Sequence, residues 1–132
     1  MINFSLILFF IVNLSNSFTE RILYVSKSLN DENYNRGQVI FKRDCAACHS
    51  IEMDLISTAP ALGGITKRRK KEWLYSYTRN SYKMFIEGDS IAKDLRSQNW
   101  GLMSGFPKLS NKDLDAIYYF VEKKYEAKKI KN

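Results

Sequence analysis

The chain opens on an apolar block. Residues Phe4 to Leu14 read FSLILFFIVNL, eleven residues without a charge, and a polar SNS run follows. Further along, apolar positions recur at helical intervals in four places. Tyr34, Phe41 and Cys45, with Gln38 between them, make a stripe behind Asn30 or Asp31 as cap, which predicts a helix from about Asp31 to Asp44. Trp73, Leu74 and Tyr77 predict a second over roughly Lys70–Thr78. Ile91, Ala92 and Leu95 predict a short third with Asp89 as its N-cap. Leu114, Ile117, Tyr118, Val121 and Tyr125 predict the last, starting at Ser110, with Ser110 and Asp113 spaced as a capping box.

The segments between are punctuated by Gly and Pro. Residues 50–67 carry Pro60, Gly63 and Gly64, and residues 98–109 carry Gly101, Gly105 and Pro107, so both read as loops. Residues 18–30 read as a lead with a short strand at Ile22–Val25. The fold class is all-α: about four helices joined by long loops. Long loops are uncommon inside a compact domain. They make sense when they wrap something that is not protein.

As a helix, the N-terminal block spans about 16 Å, well short of a hydrocarbon core of about 30 Å. Ser15 and Ser17 stand where a small-x-small cleavage signal places them. Residues 1–17 are therefore expected to be a cleaved signal peptide, 18–30 a lead and 31–132 the folded domain, in a periplasmic, exported protein. The alternatives are an uncleaved N-terminus that anchors the chain to a membrane and a buried helix.

Composition narrows the class. A chain of 132 residues is one domain, and 45% hydrophobic residues exclude a disordered one. Two cysteines cannot staple a disulfide scaffold. The net charge is +7, and His49 is the sole histidine.

Cys45-Ala46-Ala47-Cys48-His49 is C-x-x-C-H, the attachment motif of c-type haem. Two cysteines three apart lie on one side of a helical turn, so both sulfurs reach the two vinyl groups of one porphyrin. The adjacent imidazole becomes the proximal iron ligand. Three other uses of these residues fit less well. A structural zinc needs four ligands, and no second cluster is present. A thioredoxin-like pair needs a βαβ setting, which is missing. A disulfide three apart in a helix is strained and leaves His49 unexplained.

From Tyr34 to about Glu126 the sequence resembles the class I c-type cytochromes, small proteins with a single haem. Gly37, Phe41, Cys45, Cys48 and His49 match G-x-x-x-F-x-x-x-C-x-x-C-H. Ala59-Pro60-Ala61-Leu62-Gly63 is similar to the family's G-P-x-L-x-G loop, with Ala where Gly is usual. Met103 with Phe106, Pro107, Leu109 and Ser110 resembles the segment carrying the distal methionine, although Ser104 stands where Pro often follows Met. Ile117 and Phe120 match the apolar and aromatic pair of the final helix. The resemblance implies a cytochrome c-like fold around one covalently attached haem c. It implies that Gly37 lets the first helix cross the last closely, between Phe41 and Phe120. It also implies that the loop at Pro60 offers a carbonyl to the ring N–H of His49, which fixes the tautomer.

With His49 used, bis-histidine ligation within the chain is impossible. Met1 leaves with the signal, and Met53 is too close to His49 in sequence to reach the opposite side. Met103 is the expected distal iron ligand, partly on the family pattern, with Gly101 and Gly105 giving its loop freedom. Met84, a water or open site, and a lysine are the alternatives. His/Met iron has no open position and suits one-electron transfer, so the expected function is an electron carrier and not an enzyme. The alternatives are a fixed haem subunit of a larger dehydrogenase or oxidase complex, and a five-coordinate haem protein that binds small ligands or reacts with peroxide.

Lys67-Arg68-Arg69-Lys70-Lys71 and the C-terminal lysines form two basic runs. Each is either a solvated face or a docking surface for redox proteins with acidic surfaces, such as a membrane dehydrogenase or terminal oxidase. Peripheral contact with anionic lipid is a further use; nucleic acid is not an expected partner. Trp73, Trp100, Arg68 and Arg69 have N–H groups suited to a haem propionate, with ordinary packing as the simpler assignment for the tryptophans.

Overall fold

The computed structural model describes residues 4–130, with side chains from Phe18 onward. All regular structure among these residues is helical. In chain order there are α1 (Phe4–Asp44), α2 (Ile65–Arg68), α3 (Lys71–Ile86), α4 (Ser90–Ser97) and α5 (Asn111–Lys129). The all-α class is as expected, with one helix more than the pattern gave.

The chain divides into two compact units, Met1–Glu32 and Asn33–Asn132. In the first, the described residues are helical throughout, so the strand expected at Ile22–Val25 is absent. Those four residues favour a strand singly, but the preference is weak and a helix already running through them overrides it. Phe18, Ile22, Leu23, Val25 and Leu29 are exposed there. None of the described helices is long and apolar enough to cross a membrane.

The second unit holds the core. Ile40 and Phe41 from α1, Leu74 and Tyr75 from α3, and Leu114, Ile117, Phe120 and Val121 from α5 pack together with Met53 and Leu109 from the loops. Phe41 and Phe120 are fully buried with ring centroids 5.5 Å apart, and Tyr34 meets Phe120 edge-on at 5.1 Å. Such tilted pairs contribute about 1 kcal/mol beyond their burial. Gly37 makes the helix crossing possible: a Cβ built there would lie 1.9 Å from the Ala116 carbonyl oxygen. The crossing is further held by Arg36, whose guanidinium donates to Asp113 on α5.

The cap and helix start expected at Asn30 or Asp31 are absent, because α1 already runs through both residues; the other two caps are where the sequence placed them. The Ser110 hydroxyl accepts from Asp113 N at 3.1 Å, and Ser110 N donates to Asp113 Oδ2 at 2.9 Å. Asp89 accepts from Ala92 N at 2.8 Å and starts α4.

Helix α3 runs on to Ile86, well past Thr78. It also breaks. Asn80 has φ −157° and ψ 77°, and its side-chain oxygen accepts from Lys83 N at 2.9 Å, capping the helix that restarts after it. The short α2 was not expected, because Gly63 and Gly64 mark the segment as loop.

Candidate functional site

Helix α1 delivers the attachment motif. It ends at Asp44, and the next residues turn back on it: Cys45 N and Ala46 N both donate to Phe41 O, at 2.8 and 2.9 Å. Cys48 N and His49 N then donate to Cys45 O at 3.1 and 2.9 Å. Cys45, Cys48 and His49 are thus held on one hydrogen-bonded turn. Cys45 is half-buried against the core and Cys48 is exposed, and the two are not joined to each other.

The loop after the motif closes over His49. Its Nδ1 lies 2.9 Å from the Pro60 carbonyl oxygen, the bond expected from the A-P-A-L-G segment. The acceptor can only be the carbonyl, so Nδ1 carries the proton and Nε2 is left with its lone pair. Ala59 N donates to Cys48 O at 3.1 Å and Gly63 N to Met53 O at 2.7 Å, which ties the same loop to the motif and to the core. Burial is the larger influence on the His49 imidazole and lowers its pKa, while the bond to Pro60 works the other way. The ring is therefore the neutral base that a metal ligand must be.

Burial, with the nearby Asp44 carboxylate, pushes the Cys45 thiol up to about 12. Among the described residues no three His, Cys, Asp or Glu side chains cluster to hold a metal ion.

Met103 comes from a different part of the unit, the segment between α4 and α5. That segment lies along α3 at its break. The Ser81 hydroxyl donates to the Met103 carbonyl, and Phe106 N donates to Thr78 O at 3.0 Å. Gly105 packs on the α3 backbone, where a Cβ would meet Arg79 O at 2.7 Å. Arg79 in turn donates to Leu109 O at 3.0 Å and to Asn111 Oδ1 at 2.6 Å. The Met103 side chain is half-buried. Met84 is half-buried in the second part of α3. Met53 is fully buried in the core at φ 60°, and is packing.

The chain thus supplies two thiols three residues apart, one neutral imidazole with an anchored second nitrogen, and a thioether on a separately mounted loop. This donor set fits haem c.

The cytochrome c family profile matches residues 34–124. This chain belongs to the cytochrome c family. The cytochrome is similar to a cytochrome c from Rhodothermus marinus, with 26% identity and a TM-score of 0.64 over 74% of this chain and 80% of that one. Two engineered forms of the Rhodothermus marinus cytochrome c are also similar, at 28% identity with TM-scores of 0.59 and 0.60; the former is bound to a carbene intermediate. No match is found among curated proteins. Family and fold make it a class I c-type cytochrome with covalently attached haem c, and point to haem-based electron transfer.

The N–H groups considered for a propionate have partners within the protein. The Trp73 indole N–H donates to Asp89, 3.1 Å from each carboxylate oxygen, so it is not left for a propionate. Its ring stacks on Tyr77 at 4.7 Å. Trp100 makes a longer contact with Gln98 Oε1, at 3.4 Å. Arg68 donates to Gly63 O at 2.7 Å and Arg69 to Arg68 O at 3.1 Å.

Much of the basic run is spent within the molecule. Lys67 pairs with Glu122 at 3.0 Å and Glu126 at 3.6 Å, and Lys71 pairs with Asp115 at 2.5 Å. In the C-terminal run, Lys123 pairs with Glu126 and Lys128 with Asp54, at 2.8 and 2.7 Å. Lys123 and Glu126 stand three apart on α5, but sequence spacing could not reveal the other pairings, because their acidic partners are distant in the chain. The residues that mount the Met103 loop, Thr78 to Ser81, were missed for the same reason.

Proposed function

We propose that this cytochrome is an exported one-electron carrier whose iron is ligated by His49 and Met103 and whose haem is linked to Cys45 and Cys48. The observation that carries this reading is the 2.9 Å contact between His49 Nδ1 and Pro60 O. It fixes the tautomer, orients the ring and leaves Nε2 as the ligating nitrogen. Haem c supplies a one-electron iron couple. The chain's own residues hold it, exclude water and set its potential. Met103 donates a neutral thioether, which favours the reduced state and raises the potential. Two neutral ligands, each mounted through a hydrogen bond, would keep rearrangement on electron transfer small.

The single histidine also weighs against peroxide chemistry, since none remains to move a proton on the distal side. Export is supported by the uncharged N-terminal block and by the attachment motif. Redox proteins with acidic surfaces are the proposed partners, with docking through the lysines and arginines that internal pairing leaves available. Long-range attraction of this kind raises encounter rate more than affinity, so salt should slow the reaction.

A second reading, a fixed subunit of a larger redox complex, is favoured by the exposed Phe18, Ile22, Val25 and Leu29 on the N-terminal helix. Measuring mass against concentration, alone and with native membranes, separates a free carrier from a subunit.

The ligation itself is tested by absorption spectra of the exported holoprotein, oxidised, reduced and reduced under carbon monoxide. The expected result is low-spin iron with a thioether-to-ferric charge-transfer band, no carbon monoxide binding, and loss of the band in Met103→Ala. High-spin iron that binds carbon monoxide readily would overturn His/Met ligation in favour of the five-coordinate alternative.

A further inference from the structure

We propose that Ser81 is a positioning residue for the iron–methionine bond, acting through its hydroxyl on the Met103 carbonyl at the break in α3. The inference rests on Met103 being the distal ligand.

A thioether is a weak, neutral ligand, so its hold on iron depends on how firmly the protein presents it. Sequence around Met103 supplies little firmness of its own. Gly101 and Gly105 flank it, and residues 101–106 have no regular structure. The constraint comes instead from α3. Ser81 is only 1% exposed, one of two buried polar residues in the described chain, and its hydroxyl is used on Met103 O. The other is Thr78, whose backbone carbonyl takes Phe106 N. A buried hydroxyl must have a partner or it costs stability, and here the partner is the ligand residue's own backbone.

The break at Asn80 makes this possible. In a continuous helix, a serine hydroxyl usually turns back to a carbonyl of the preceding turn. At Asn80 the φ/ψ pair is extended, and the helix restarts with the Asn80 side chain as its cap. Ser81 therefore stands in the first turn of the restarted helix. Gly105 completes the mount, since a Cβ added there would come within 2.7 Å of Arg79 O and push the loop off α3. Three tethers, at Met103 O, Gly105 and Phe106 N, thus hold backbone only and leave the methionine side chain for the iron.

The test is a titration of the ferric holoprotein with imidazole, following loss of the thioether charge-transfer band. Ser81→Ala removes one buried hydrogen bond, and should lower the imidazole concentration at half-displacement by about five- to tenfold. Gly105→Ala should shift it the same way by a different route. Ser110→Ala is the control for general weakening: it removes the α5 capping box, and should lower the unfolding midpoint without moving the imidazole half-point.

An unchanged half-point in Ser81→Ala, with Met103→Ala still abolishing the band, would overturn the inference while leaving His/Met ligation intact. Absence of the band from the parent holoprotein would overturn the ligation itself. Should Ser81→Ala fail to accumulate as folded holoprotein, Gly105→Ala decides alone, and an unchanged half-point there rejects the mount.

Discussion

Gly37 on α1 and Ala116 on α5 approach so closely that a Cβ at Gly37 would sit 1.9 Å from the Ala116 carbonyl oxygen. The obstruction is backbone, which cannot swing aside as a side chain can. Gly37→Ala should therefore cost about 3 kcal/mol, at the upper end of overpacking penalties. Chemical denaturation of the holoprotein would read this as a lower midpoint with little change of slope.

The His49–Pro60 contact makes a prediction about potential. If His49 ligates iron as proposed, the hydrogen bond that its Nδ1–H donates makes the imidazole a stronger electron donor and favours oxidised iron. Pro60→Ala keeps the carbonyl but frees the loop that presents it. The bond should weaken and the reduction potential should rise, as measured by redox titration. A fall would show that the loop does not tune the iron through His49.

Asp113 ties acid stability to the same helix crossing. Hydrogen bonds from Ser110, and then from Arg36, hold its carboxyl at a pKa of about 2, below the ordinary 3.8. The folded state therefore binds this proton less readily than the unfolded one. The resulting stability is present above pH 4 and is lost as the pH falls from about 4 through about 2. Solvent screening at this partly exposed ion pair reduces it to about 1 kcal/mol. Asp113→Asn should flatten the stability curve in that window and leave it unchanged in shape near neutrality.

Trp73 and Asp89 separate packing from tuning. Asp89 accepts from both the indole N–H and the first turn of α4. Asp89→Ala should lower stability by about 1 kcal/mol or somewhat more, as the loss of a cap does. Trp73→Phe should leave the potential where it is, because the indole N–H is bonded to protein. A shifted potential in Trp73→Phe would restore a direct role at the haem edge.

What could be read from the sequence was local or covalent. Cys45, Cys48 and His49 are legible because attachment to one porphyrin demands their spacing. The caps at Asp89 and Ser110 are legible because their hydrogen bonds span three residues. The resemblance carried the longer-range expectations, the Gly37 crossing and the Pro60 carbonyl, and both contacts are present. Ile22–Val25 misled, since side-chain preference for a strand is weaker than a helix already in progress. The break at Asn80 was invisible because asparagine is not a helix breaker by type. Its reason lies some 25 residues downstream, in the loop that docks there. The internal pairing of Lys67 and Lys71 was equally hidden.

The bond from Phe106 N to Thr78 O has a use outside the iron's chemistry. It joins a loop without regular structure to a helix, so this amide can trade its hydrogen for deuterium only when the loop lifts away from α3. Its exchange rate is a clock on that lifting, and it runs in oxidised and reduced protein alike, with no dependence on colour. If changing the iron's charge alters how tightly the loop is held, Phe106 will record the difference as a change in protection, one backbone position that senses the oxidation state of the whole molecule.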